Sequence, residues 1–263
     1  MQCVRQTSAI IREEIYLIVD LESPASWPED VKNYLVEHHD IFHRWELGLV
    51  GRSHLEFDPA IEGLAQVLCH HELIGYHCSR LTDRELQAIY AEGMQLPTVE
   101  TLTRRIDTLA EVGEIAQGIA EVLKGRHQAR EANRAGKIWF CFFPPSRASE
   151  SGIGRFFRHW GGEALYNSHE DDPVTAPVLR RIGMPCIVEA VIPIADLSRH
   201  SIPDVPMMRR YLGSCGHSGL EIFDKEGYLK VDLSSSSIRA IYRLPESEFY
   251  ELSGCRDWEN IPC

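Results

Sequence analysis

Thiol and imidazole groups crowd one short stretch of this 263-residue chain: Cys69, His70, His71, His77 and Cys78. Such groups hold zinc, or serve as nucleophile and base in acyl transfer. The spacing argues against both. His77 and Cys78 are adjacent in a strand-like run, so their side chains point to opposite faces and cannot easily share an ion. No His-Glu-x-x-His helix, no Cys-x-x-Cys pair and no hydrolase signature around a cysteine or serine is present. No metal site is expected. Gly152-Ile153-Gly154 lacks the third glycine of a dinucleotide turn, and there is no Walker loop. Two other features carry reactive groups. Glu189 sits inside the apolar run Ile187 to Val191, where it either faces solvent on the alternating side or is functional. The run Arg155 to Ser168 is dense in rings and guanidinium groups, which either stack on a flat ligand or pack a core with Phe156, Trp160 and Leu165 inward.

The elements that position these groups follow from periodicity. Ile15 to Val19 predicts a buried strand closed by the loop Asp20 to Pro28, and Val31, Leu35, Ile41, Phe42 and Trp45 predict an amphipathic helix. Asp58 with Pro59 reads as an N-cap and first helical position, opening a helix to about residue 72 with Ile61, Leu64, Ala65 and Leu68 inward. After the strand Ile74 to Leu81, Thr82-Asp83-Arg84-Glu85 is a capping box, Leu86, Ile89 and Tyr90 form an apolar face, and Gly93 stops the helix. Residues 98 to 135 read as helical, broken near Gly113, with Leu102, Ile106, Leu109, Ile115, Ile119 and Val122 inward. Lys137 to Phe143 predicts a strand buried on both faces, ended by Pro144-Pro145. Gly152 to Trp160 reads as a short helix, Asp172-Pro173 opens another that Gly183 closes, and Cys186 to Ile194 is a strand. Leu220 to Phe223, Tyr228 to Val231 and Ile238 to Leu244 are strand-like. Helices early and strands late predict an α+β fold.

Three segments taken in order, Tyr76-His77-Cys78-Ser79-Arg80-Leu81, Trp139 to Arg147 and Gly219-Leu220-Glu221-Ile222-Phe223, resemble the ADP-ribosyltransferase superfamily, most of all its nucleic-acid-modifying toxins. The resemblance covers about residues 74 to 245 and implies a split mixed or antiparallel sheet. It implies NAD as substrate, transfer of ADP-ribose to a macromolecular acceptor (nucleic acid or protein), and a role as a toxin or defence effector with an antitoxin or partner protein. By that resemblance Glu221 is the catalytic carboxylate, since cleavage of the nicotinamide glycosidic bond generates an oxocarbenium-like centre that a carboxylate stabilises. His77 would hold a ribose or orient the dinucleotide, and the backbone of Ser79 would pair with the carboxamide. Arg80 or Arg147 would neutralise the pyrophosphate, and Tyr166 would stack under the nicotinamide. The chain departs from the family in lacking a Ser-Thr-Ser motif on the second strand and a Gln or Glu two residues before Glu221. Arginine-directed transfer is therefore not implied. NAD hydrolysis without an acceptor and a non-catalytic partner-binding module are the alternatives.

Composition bounds these readings. A net charge of −12 with 44% hydrophobic residues describes an ordinary globular chain whose averaged field repels nucleic acid and anionic membrane. Arg155, Arg158, Arg180 and Arg181 could still form a locally positive groove. The longest apolar run, Ile138 to Phe143, is far short of a membrane span, and no secretory signal is read in the first residues, so a cytoplasmic protein without membrane partners is expected. Eight scattered cysteines read as free thiols. The expected organisation is an N-terminal extension or lobe over residues 1–73 and an ADP-ribosyltransferase-like domain over 74–263.

Overall fold

The computed structural model describes residues 17–48, 53–220 and 225–258. Among these residues six strands form one sheet: β1 (Ile18–Val19), β2 (Glu72–Leu81), β3 (Ile138–Cys141), β4 (Met184–Pro193), β5 (Glu226–Leu229) and β6 (Ile238–Arg243). The order is β5-β3-β2-β4-β6 with antiparallel neighbours throughout, and β1 lies parallel beside the start of β2. The helices are α1 (Glu29–Glu37), α2 (His39–Glu46), α3 (Ser53–Leu68), α4 (Asp83–Glu92), α5 (Val99–Glu111), α6 (Gln117–Gly125), α7 (Ser149–Arg158), α8 (Glu163–His169), α9 (Ala176–Leu179), α10 (Asp204–Ser214) and α11 (Ser247–Ser253). The protein is α+β with an antiparallel sheet. The expected order of helices first is not what forms, because β2 is the central strand and α7 to α11 follow β3.

Strand alternation assigns β2 two different cores. Leu73 and Leu81 face the main core with Phe140, Val188 and Ile192, which α1, α2, α3 and α10 cover. Tyr76 and Cys78 face a smaller core with Ile153, Phe157 and Phe249 from α7 and α11. A third cluster joins α5 and α6 to Trp160, Leu165, Leu179 and Ile182. Val19, Val31, Leu35 and Phe42 belong to the main core, so the residues before β2 are built onto the same sheet as those after it.

Several boundaries differ from the sequence reading for identifiable reasons. α3 begins at Ser53 and carries Pro59 inside it, because Phe57 is buried against Phe42 and stacks on Trp45 at 4.0 Å. Packing of that first turn outweighs a proline cost of about 3 kcal/mol. The helix expected to reach residue 135 stops at Gly125: the Gln128 N–H donates to Ala164 O and Gly136 to Pro97 O, so backbone partners come from other segments. Tyr90 and Val122 are exposed rather than inward. β3 buries Ile138 and Phe140 but leaves Trp139 and Cys141 half-buried, so only one of its faces is fully covered. α7 turns Ile153 and Phe157 inward in place of Phe156, while Trp160 and Leu165 are buried as expected. Asp172-Pro173 opens a turn, with the Asp172 carboxylate accepting from the Val174 and Thr175 N–H groups, and the helix is confined to Ala176–Leu179. The capping box forms, with Thr82 and Glu85 exchanging hydrogen bonds. Gly93 ends α4 at φ 83°, where an added Cβ would run into the Leu233 carbonyl. The described cysteines Cys69, Cys141, Cys186 and Cys215 are free thiols. No helix among the described residues is long and apolar enough to cross a membrane.

Candidate functional site

The sheet is unevenly zipped around β2. All ten of its residues pair with β4, whereas its pairing with β3 is confined to Tyr76 and Cys141. From His77 to Leu81 the other edge of β2 has no strand partner among the described residues. The His77 ring, on the strand face that Leu73 and Leu81 turn to the main core, lies beside that edge, with its Nδ1 2.8 Å from the Trp139 carbonyl and its centroid 6.0 Å from that of Phe140. Burial lowers the His77 pKa, the Trp139 carbonyl works against that, and Arg105 adds to it. The ring is therefore neutral at neutral pH with Nδ1–H as donor, which leaves Nε2 an acceptor. Ser79 is two residues on along the same strand face and is half-buried.

Beside this opening stands a hub made by α4, α5 and the segment after α7. Glu85 Oε1 accepts from Arg105 Nε at 2.6 Å, and Trp160 Nε1 donates to Oε2 at 3.0 Å. Arg105 lies 4.7 Å over the Trp160 ring. Burial pushes the Glu85 carboxyl up, but Arg105, the Thr82 N–H and the indole together hold it below its usual range. On the outer side Trp139 meets Tyr228 at 4.7 Å, with Lys137 Nζ 4.5 Å from the Tyr228 ring centroid. The β5 edge thus carries an aromatic pair with a cation over it.

The other expected site residues are placed apart from His77. Arg80 points to the opposite face of β2, is 6% exposed, and donates to the Ile182 and Phe157 carbonyls at 2.7 and 3.1 Å. Its fork pins β2 to its neighbours. Arg147 donates to Glu22 at 2.6 Å and lies over Phe143, with Glu22 shared by Arg210. Tyr166 is 2% exposed, with its hydroxyl on Glu163 and Arg155 4.1 Å from its ring centroid, so its rings are already stacked by the protein. Burial and Glu163 raise its pKa. Glu221 lies outside the described residues; on its C-terminal side the Lys225 carbonyl accepts from the Phe142 N–H at 2.8 Å, beside the end of β3.

Glu189 is decided by register. It pairs with Tyr76, and His77 pairs with Val188, so Glu189 and His77 occupy opposite faces of the sheet. Its carboxylate accepts from the Tyr242 hydroxyl at 2.8 Å and from Arg239 at 3.2 Å, a closed polar set beneath α11. Burial and Glu189 push Tyr242 up to about 12. The basic run is similarly engaged: Arg155 with Glu170 and Asn167, Arg158 with Glu150, and Arg180 with His159.

The histidine-rich stretch disperses, with His71 on Asp30 at 2.9 Å and His70 exposed. A different set converges. His39 and His43 on α2 meet His217 beyond α10, one ligand-capable atom from each lying within 4.8 Å of the others. The pair four residues apart on a helix was the only sequence signal; the third member stands 174 positions further on and no spacing rule reaches it. Comparison with protein-family models, curated proteins and solved structures finds no match to this chain.

Proposed function

We propose that the chain breaks the nicotinamide glycosidic bond of NAD at the opening between β2 and β3 and transfers ADP-ribose to a macromolecular acceptor. The observation that supports this reading is the neutral His77 ring, hydrogen-bonded through Nδ1 to Trp139 with Nε2 left as an acceptor, beside the stretch of β2 that has no strand partner among the described residues. An acceptor nitrogen fixed in that way suits a ribose hydroxyl, and the free strand edge near Ser79 suits a carboxamide that needs both donor and acceptor. Glu221 supplies the carboxylate. As the C1′–N bond breaks, nicotinamide leaves with the bonding electron pair, the carboxylate stabilises the positive charge developing at C1′, and the acceptor nucleophile attacks C1′ and loses its proton. Arg147 is the remaining cation for the pyrophosphate, in competition with Glu22; Arg80 and Tyr166 serve the frame, through backbone carbonyls and Arg155 respectively.

The test uses NAD labelled in the adenylate and, separately, in the nicotinamide, incubated with the full chain and a cell extract. The expected result is nicotinamide release with adenylate label on an extract component, abolished in Glu221→Gln and reduced up to about tenfold in His77→Ala, since one lost neutral positioning hydrogen bond costs about 0.5–1.5 kcal/mol. Release without labelling would mean hydrolysis. No release and no thermal shift with NAD in the wild type would overturn the reading and favour a binding module.

A further inference from the structure

We propose that His39, His43 and His217 form a binding site for a zinc-class divalent transition-metal ion, with three imidazole ligands and a fourth position open to water. The site is independent of the NAD reading and lies on the helical side of the main core, where α2 packs against α10. Its ligands come from two elements held in register before any ion arrives. α10 closes in a Schellman motif: the His217 N–H donates to Leu212 O at 3.2 Å and Gly216 to Gly213 O at 3.1 Å, with Gly216 at φ 91°. That turn carries His217 back over α2. Arg209 on α10 donates to Glu46 on α2 at 2.8 Å and fixes the two helices against each other.

One pair of the imidazoles is already spaced as ligands. His39 Nε2 and His217 Nε2 are 3.4 Å apart. Two nitrogens bound to one tetrahedral zinc at about 2.0–2.1 Å lie about 3.3 Å apart, so this pair needs almost no movement. His43 is four residues from His39 on one helix face; its ring packs on that of His217 with centroids 3.8 Å apart, closer than the roughly 5 Å of two rings on one tetrahedral ion, so it swings aside as it ligates. Closing the remaining gaps from within 4.8 Å is a side-chain rotation on half-buried residues. The Tyr211 hydroxyl sits 3.1 Å from His39 Nδ1 and directs the opposite nitrogen into the cluster, the usual outer support of a metal-bound histidine. Nitrogen donors without carboxylates or thiolates in the set suit zinc, copper or nickel over magnesium or calcium. Among the described residues no carboxylate or thiol joins the group.

The probe is cobalt(II), added to the purified full chain in metal-free buffer and followed by visible absorption, with zinc as competitor. One equivalent of cobalt should give the intense bands of four-coordinate geometry, zinc should displace it, and zinc should raise the unfolding temperature. His43→Gln and His217→Gln should weaken binding on the order of 100-fold and Tyr211→Phe about tenfold. His70→Gln, an exposed histidine outside the cluster, should bind as the wild type does. Circular dichroism confirms that each variant folds. A folded wild type that takes up neither ion, or binding that survives His43→Gln and His217→Gln, would overturn the proposal.

Discussion

His159 shows what a buried imidazole costs when it has a cation for a neighbour. It is 2% exposed, its Nε2 accepts from Arg180 Nε at 3.2 Å, and its Nδ1 is buried without a partner. Burial first, and then Arg180, push its pKa from 6.5 down to about 4. The folded state therefore keeps the ring neutral where the unfolded chain takes up a proton. Stability from this residue is complete above about pH 6.5 and is lost as pH falls towards about pH 4, by up to about 1.4 kcal/mol per pH unit. Urea unfolding of the wild type at about pH 7 and about pH 5 should show that fall, and His159→Gln, which does not titrate, should show a smaller one. An equal fall in both proteins would assign the acid sensitivity elsewhere. At this scale the sequence was uneven. It singles out His77 only by the unusual residue types around it. It gave no sign that Arg80 spends its guanidinium on two backbone carbonyls or that Tyr166 is sealed under Arg155, since those partners lie 77 or more positions away for Arg80 and depend on how α7 and α8 pack for Tyr166.

Elements were legible where the signal was local. The capping box at Thr82 and the stop at Gly93 form as the four-residue pattern requires, because their bonds run within one turn. The start of α3 and the end of α6 were not, because Phe57 on Trp45 and Gln128 on Ala164 are tertiary contacts that override local preference. The register of β2 against β4, which separates Glu189 from His77, is likewise a long-range property. Gly93 connects both kinds of information. Its positive φ is a helix-end preference, but its packing against Leu233, whose N–H and C=O exchange bonds with Met94, ties α4 to the chain before β6. Gly93→Ala puts a Cβ on a backbone at φ 83°, ψ −163°, a region essentially confined to glycine and costing about 1–3 kcal/mol, and forces the Leu233 carbonyl away, so a loss of about 2–4 kcal/mol is expected. Chemical denaturation measures it; a change within about 0.5 kcal/mol would show that the contact yields freely.

At the scale of the molecule, the placement of the core decides what can fold alone. A boundary between residues 73 and 74 falls inside β2 and would divide the sheet's central strand. It would also strip Val19, Leu21, Trp27, Val31, Leu35, Phe42, Phe57, Leu64 and Leu68 from the main core, all 6% exposed or less. Fully burying side chains of this size contributes about 1.5–3 kcal/mol each, so nine of them match or exceed the whole stability of about 5–15 kcal/mol typical of a domain. What remained would expose the face of β2 and β4 that carries Leu81, Val188 and Ile192 to water. A chain starting at residue 74 should therefore be insoluble, or should bind a hydrophobic dye and lack cooperative unfolding, whereas the full chain unfolds in a cooperative transition. The opening beside His77 would suffer with it, because Phe140, which the His77 ring meets, is packed in that same core. If the shortened chain instead unfolds cooperatively with near-native stability, the first 73 residues are an appendage, and the opening between β2 and β3 is held by α4, α5 and Trp160 without them.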